Sequence, residues 1–239
     1  MNIKDNLTIV IPCKNEENYI SNTIMSIVKQ RNIHGTRVII ADALSLDKTR
    51  SKIITLKHTY SDILKIELVN GGTVSYARNF GAHMVQTKYI LFIDADTVLT
   101  ESDTIDESLK LMHENHLDLV TCKIKSVGSD IRTTLSFFLF NIINRIISKK
   151  TPFAVGTYFM TRKDVFNRLG GFNESLHHSE DYILSKQYNP SKFKIVNKYI
   201  GQDDRRFKKK GYFFMVKLLI KGFINRNNID FFKKNINYW

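Results

Sequence analysis

Two aspartates one residue apart, Asp94 and Asp96, close the apolar run Tyr89-Ile90-Leu91-Phe92-Ile93. A run that apolar belongs inside a protein, and a buried carboxylate is costly unless it is paired or holds a metal. On an extended segment, side chains two apart point the same way, so both carboxylates can address one hard cation. The same pair at the end of a surface strand would simply be solvated; the end of a central strand is what argues for a ligand. Asp42 also ends an apolar strand, ahead of "SLDKT", where Ser45 or Asp47 can cap the following helix but Asp42 cannot. Arg78 lies in the first turns of a helix that follows Gly71-Gly72, where backbone N–H groups and a guanidinium together suit a phosphate. Glu180-Asp181 opens a helix behind Ser179, an arrangement that complements the helix dipole and also suits a general base delivered to a cleft. His177-His178 have no Cys or His cluster at matching spacing, so no zinc-type site is expected.

These residues need elements to hold them. Strands are expected at "LTIVIPC", "RVIIADA", "ILKIELV" and "KYILFIDAD". Helices are expected at "EENYISNTIMSIVKQR", with Asn15 as N-cap, and at "SLDKTRSKIITLKH" and "TVSYARNFGAHMVQ". Such βαβα alternation predicts an α/β fold with a mostly parallel central sheet covered by helices on both faces. Ligands in such folds sit beyond the carboxyl ends of the strands, where Lys14-Asn15-Glu16, Asp42 to Asp47, Gly71-Gly72 and Asp94-Ala95-Asp96 all fall. After Asp96 come a helix at "TIDESLKLMHENH" and a strand at "LDLVTCKIKSV". Leu135, Phe138, Leu139, Ile142, Ile143, Ile146 and Ile147 then form a helical stripe expected to cover the sheet. "AVGTYFMT" reads as a strand, "RKDVFNRL" and "SEDYILSKQ" as helices.

With 239 residues, 43% hydrophobic and three prolines, the chain has room for one large domain and no long linker. Cys13 and Cys122 read as small buried hydrophobes in a reducing compartment. No signal peptide or membrane span is visible, so the expected location is cytoplasmic, with peripheral membrane attachment open. The formal charge is +13, and residues 205–239 hold ten Lys or Arg against one acid, Asp230. Such a segment suits nucleic acid, phosphates or an anionic membrane. Within it, "YFFMVKLLIKGFI" sets Lys217 and Lys221 among Phe213, Phe214, Leu218, Leu219 and Phe223. That composition fits an interfacial helix, or one packed on the core or on a second subunit.

Taken in order, "TIVIPCKNEENYI", "ADALSLDKT", "SYARNFGAHMVQTKYILFIDAD", "RKDVFNRLGGFNESLHHSEDYIL" and "RRFKKKG" resemble the motifs of family 2 glycosyltransferases of the GT-A fold, over roughly residues 7 to 211. The resemblance implies a Rossmann-like GT-A catalytic domain over residues 1–204, with a nucleotide-sugar-binding half (1–96) and an acceptor half (97–204), followed by a basic tail (205–239). It also implies an inverting transferase that uses a nucleotide-diphosphate sugar, most simply a UDP-sugar, a glycan or lipid-linked acceptor, and Mn²⁺ or Mg²⁺. By position, Pro12, Lys14 and Glu16 match the loop around the base and Asp42 the acid on the nucleoside. Arg78 matches a base- or diphosphate-contacting arginine, and Arg205 and Arg206 a basic pair near the diphosphate. Asp94 and Asp96 match the Asp-x-Asp pair, the second typically on the metal. Glu180-Asp181 match the pair whose aspartate is the catalytic base. Ala43 stands where the family often has a second acid, and Lys14 where it often has tyrosine, which leaves the nucleotide open.

Three rival readings remain. A nucleic-acid module would explain the tail charge but not the strand-end acids, and no nucleic-acid partner is expected. A sugar nucleotidyltransferase would show a glycine-rich loop where this chain has "PCKNEE". An inactive relative would have no reason to retain both acidic pairs.

Overall fold

The computed structural model describes residues 2–128 and 130–234. A single turn, α1 (Ile3–Asn6), leads into β1 (Leu7–Cys13), α2 (Ile20–Val28), β2 (Thr36–Asp42), α3 (Thr49–Thr59), β3 (Leu64–Asn70), α4 (Val74–His83) and β4 (Tyr89–Phe92). Then follow β5 (Thr97–Leu99), α5 (Thr104–Glu114), β6 (Leu119–Ser126), α6 (Ile131–Ile147), β7 (Phe159–Arg162), α7 (Lys163–Arg168), α8 (Glu180–Ser185) and β8 (Phe193–Gln202). The helices α9 (Arg205–Lys210), α10 (Tyr212–Ile224) and α11 (Ile229–Phe232) close the described chain.

One eight-stranded sheet runs in the order β3-β2-β1-β4-β7-β6-β8-β5. The first four strands are mutually parallel, because each is joined to the next through a helix. From β7 onward the sheet is mixed: β7 is antiparallel to β4 and β6, and β8 is parallel to β6. Alternation along the central strands feeds two cores. Ile9 and Ile11 on β1, Val38 and Ile40 on β2, and Leu91 on β4 meet Ile24, Ile27, Ile53 and Leu109 on one face. Val10, Ile39, Ile90 and Phe92 meet Ala82, Val85, Phe166 and Leu184 on the other. A strand buried on both faces has no polar side, which is why β1 reads as an unbroken apolar run. Cys13 and Cys122 are both buried in the first of these cores.

The observed elements depart from the sequence reading in four places. The fourth strand ends at Phe92, so Asp94 and Asp96 leave a turn closed by Thr97 N–H donating to the Asp94 carbonyl (3.1 Å). α2 begins at Ile20, and Asn15 does not cap it; its φ of +52° turns the chain instead. β5 and β8 are not expected from the sequence. β8 interrupts its apolar residues with Lys194, Asn197 and Lys198, and a register shift opposite Cys122/Lys123 breaks its alternation.

The fourth departure is α6, whose apolar stripe faces away from the sheet. Thr133, Phe137, Asn144 and Ser148 are buried instead. The cause is a polar demand beneath the helix. β7 pairs with β6 only at Leu119 and Val120, which leaves the later part of that β6 edge without a strand partner. Asn141 answers for one residue of it, its Nδ2 donating to the Ile124 carbonyl (2.7 Å) and its Oδ1 accepting from the Ile124 N–H (3.0 Å). Buried backbone groups require such partners, and this requirement turns the polar face of α6 inward.

Candidate active site

The carboxyl ends of β1, β2 and β4 gather most of the residues singled out above. Pro12 is buried in β1 opposite Ala41; β4 pairs with β1 only as far as Val10, so the missing N–H of Pro12 costs no ladder bond on that side. Lys14 is exposed just beyond the strand. Asn15 and the β2–α3 loop then lock together: Asn15 N–H donates to Ser45 Oγ (2.8 Å), and Leu46 N–H donates to Asn15 Oδ1 (2.9 Å). Glu16 N–H donates to Thr49 Oγ1 (2.7 Å), and Asp47 accepts from the N–H groups of Glu17 and Thr49. Leu44 sits at φ +53° at the tip of the second loop.

Asp42 is fully buried and well supplied with donors, accepting from the Ser45 N–H (3.1 Å), the Ser45 hydroxyl and Arg50 Nη1 (2.8 Å). β1 lies between β2 and β4, so Asp42 is one strand removed from the Asp94 turn. Gly71 follows β3 where a Cβ would come within 2.8 Å of the Ala41 carbonyl oxygen; only glycine lets this turn pass so close to β2.

Arg78 is the centre of the arrangement. It is 1% exposed and spans from the β4 turn to the start of α8. Nη2 donates to Asp94 Oδ1 at 2.7 Å and Nη1 to Glu180 Oε1 at 2.5 Å. Its guanidinium carbon stands 5.1 Å from the Phe172 ring centroid. Burial alone would make the charge harder to hold, yet Asp94, Glu180 and Asp181 outweigh it and raise the guanidinium pKa. Gly156 packs so closely that a Cβ there would lie 2.3 Å from Nη2. Arg78 therefore joins two acids of the site rather than reaching outward.

Asp181 follows Glu180 on α8, with Oδ2 accepting from the Gly156 N–H and Oδ1 from the Tyr182 N–H, both at 2.7 Å. Burial and the adjacent Glu180 charge push its carboxyl up to about 7, while Arg78 and the two N–H donors pull the other way. Ser179 occupies the N-cap position of α8 without a capping hydrogen bond, at φ +60°. His178 packs against the Phe231 and Phe232 rings, and burial lowers its pKa.

On the other side of the Asp94–Asp96 turn, Arg205 opens α9 and returns to the strand ends. It makes a two-toothed pair with Glu16 at 2.7 Å for each bond, donates from Nη2 to Asp96 Oδ2 (2.7 Å), and lies 4.2 Å over the Tyr19 ring. Asp94 and Asp96 thus have different protein partners, Arg78 for the first and Arg205 for the second. Arg206 lies on α9 with its side chain outside the described residues, as do those of Phe213, Leu219 and Phe223 on α10. Two described points of the segment pack back on the domain: Tyr212 hydrogen-bonds Thr133, and Phe232 is buried beside Leu176 and Ile183. Gly156, Tyr19, Arg50 and Phe172 are participants that the sequence did not single out. Each acts through packing or one or two polar contacts, which residue type alone does not signal.

The sheet, its carboxyl-end loops and the ordered acids can be compared with known proteins. The model of "Glycosyl transferase family 2" matches residues 8–170, more than half of the chain. The minor teichoic acid biosynthesis protein GgaB of Bacillus subtilis is 31% identical over 123 residues, 49% of this chain and 13% of GgaB. Among solved structures, Staphylococcus aureus TarS residues 1–349 in complex with UDP-GlcNAc superposes with a TM-score of 0.62 at 19% identity, covering 83% of this chain and 58% of that one. The mannosyltransferase PcManGT of Pyrobaculum calidifontis, in complex with GDP-Man and Mn²⁺, gives 0.67 at 18% identity, covering 84% and 57%. The structural likenesses establish the fold, and the chain spans only a small part of the length of GgaB. With the family model matched from β1 through β7 and α7, the chain belongs to glycosyl transferase family 2.

Proposed function

We propose that this glycosyltransferase moves a sugar from a nucleotide-diphosphate donor, a UDP-sugar first among candidates, to a hydroxyl of a glycan or lipid-linked acceptor, with inversion at the anomeric carbon. One observation carries the reading: buried Arg78 ties Asp94, at the end of a donor-half strand, to the Glu180-Asp181 pair that opens α8. The arrangement joins to the strand ends a carboxyl whose pKa is pushed up to about 7, near the pH at which a general base works best. Asp181 would accept the acceptor hydroxyl proton as that oxygen bonds to the anomeric carbon. The bond to the diphosphate oxygen breaks on the opposite face, so a single displacement inverts the centre. Pro12, Lys14, Glu16 and Asp42 border the space assigned to the base and ribose, and Arg205 and Arg206 the space assigned to the diphosphate. Arg78 would act as a positioning residue through the acids it joins.

The charges also bear on a metal. Among the described side chains, Glu16, Asp42, Asp94, Asp96, Glu180 and Asp181 meet the guanidiniums of Arg50, Arg78 and Arg205, with Lys14 exposed beside them, and a nucleotide diphosphate would add further negative charge. A divalent cation offsets such an excess. Among the described residues no cluster of three or more His, Cys, Asp or Glu forms a cage for one. Asp96, with Asp94 beside it, would hold Mn²⁺ or Mg²⁺ there, since hard cations take carboxylate oxygens. When bound, the ion would neutralise the charge that develops on the departing diphosphate.

The test is nucleotide-diphosphate release from UDP-, GDP- and dTDP-sugars, with and without Mn²⁺, for the wild type, Asp96→Asn and Asp181→Asn. Metal-dependent release from one donor is expected. Asp96→Asn should lose the metal response. Asp181→Asn should lose about 10²–10⁴-fold in acceptor-dependent turnover while donor binding persists. Full turnover by Asp181→Asn would remove that residue as the base, and failure of every donor to bind would overturn the donor assignment.

A further inference from the structure

The outward face of α6 is the feature that the transferase chemistry leaves unexplained. Ile131, Leu135, Phe138, Leu139, Ile142, Ile143 and Ile146 recur at helical spacing along one face and are each 42–80% exposed. The face is about 22 Å long at 1.5 Å per residue. Its area, on the order of several hundred Å², matches or exceeds the largest apolar patch of an ordinary monomer. The inward face is held by Asn141 on the Ile124 backbone and by Phe137 in the core, so the helix cannot roll to hide its stripe without breaking those contacts.

Charge decides between occupants. From Ile131 to Lys163 the sequence has no acidic residue, while Arg132, Arg145, Lys149 and Lys150 stand exposed on and around α6. Only Arg132 of these has a carboxylate partner among the described contacts, the capping Asp130. A second copy would bring the same cations against these, on a chain already at +13. An anionic lipid surface answers both the apolar stripe and the flanking charge. α10 meets α6 at its N-terminal end, where Tyr212 bonds Thr133 and lies under Arg132, and Lys217, Lys221 and Ile224 are exposed along α10.

We infer that α6 lies in the interface of an anionic membrane, its apolar stripe among the lipid chains and its cations at the headgroups, with α10 alongside. Rings link this surface to the site: Phe140 of α6 meets Phe153 (5.6 Å), which meets Tyr182 (4.8 Å), the residue after Asp181. Two ring contacts therefore separate α6 from the residue beside the proposed base. The docking itself does not depend on the transferase reading.

The experiment is co-sedimentation with vesicles of phosphatidylcholine containing phosphatidylglycerol. The wild type is compared with Leu139→Gln/Ile143→Gln and with Lys217→Gln/Lys221→Gln, and sedimentation velocity is measured without lipid. No donor or turnover enters the readout, so its failure is separate from failure of the transferase reading. The wild type should bind. The α6 variant should lose at least about tenfold in partitioning with its thermal melt unchanged, and the α10 variant should lose less. Should the α6 variant fold poorly, Phe138→Trp gives a second reading: its emission should shift to the blue on vesicles beyond any change in the wild type, whose one tryptophan is Trp239. Wild-type protein that ignores the vesicles overturns the inference. So does an α6 variant that binds as the wild type does, or a lipid-free dimer that this variant dissociates without altering vesicle binding.

Discussion

Replacing Arg78 with methionine gives the sharpest stability test of this site. Methionine has comparable reach and no charge, so the change removes two charge-assisted hydrogen bonds while retaining most of the volume packed against Phe172 and Gly156. The loss falls unevenly. The Asp94 side chain keeps 13% exposure and a route to water, but that of Glu180 keeps only 5% and would be left as a buried carboxylate without its cation. Breaking a buried pair from one side costs about 3–5 kcal/mol, mostly as the desolvation of the remaining charge. For a chain of this size the shift in Tm is roughly 6–20 °C. Arg78→Met, Glu180→Gln and the double variant, compared by urea unfolding, form a cycle. Because the Glu180→Gln change leaves a neutral amide with no charge to strand, the double variant should recover at least about 1.5 kcal/mol relative to the sum of the single changes. Additive effects, or an Arg78→Met cost below about 1 kcal/mol, would refute the claim that the guanidinium neutralises a buried acid.

Two further outcomes follow from the same geometry, and a third from α6. The Asp181 carboxyl, pushed up to about 7, gains its base form as pH rises, so kcat/KM should climb through about pH 7 and Glu180→Gln should move that limb to lower pH; a profile flat between about pH 6 and 8 removes Asp181 from proton transfer. The same raised pKa means that protonated Asp181 contributes stability below the ordinary carboxylate range, and the contribution is lost as pH rises through about 7, which urea unfolding across that range would register. Asn141→Ala, which leaves the Ile124 N–H and carbonyl without their partner, should cost about 1–3 kcal/mol in urea unfolding; a neutral result would show that water replaces the amide and that α6 is not held by it.

The parallel half of the fold is legible because each of its signals is local. β1 and β2 carry the apolar runs Ile9–Ile11 and Val38–Ala41, α2 and α4 have period 3.6, and the acids stand at strand ends where the topology puts ligands. Three kinds of information are not local. Arg205 meets Glu16 across 189 residues, and only the order of family motifs points to that corner of the site. β8 is hidden because lysines and asparagine interrupt its alternation, and because the register shift against β6 lets both faces lose period. The stripe on α6 is legible as a stripe, yet it is not the core face that its periodicity suggests. Periodicity reports that a helix has an apolar side; what that side meets depends on the strand edge under the opposite side, which Asn141 has to serve. Asp42 resists explanation as a cap because its partners, Ser45 and Arg50, bind it from the next loop and helix rather than from the strand it ends.

Among the described residues, three of the five non-glycine positions with positive φ, Asn15, Leu44 and Ser179, lie on the loops that carry the site's acids. Asparagine tolerates that conformation, but leucine and serine hold it against their own preference at roughly 1–3 kcal/mol each. The domain therefore sits below the stability its sequence length allows, and a search for heat-resistant variants would find Leu44→Gly and Ser179→Gly early. Those gains would come from relaxing the loop that holds Asp42 and the turn that launches Asp181. A library selected only for melting temperature would drift toward a sturdier protein with a looser cleft, so turnover has to be scored in the same round.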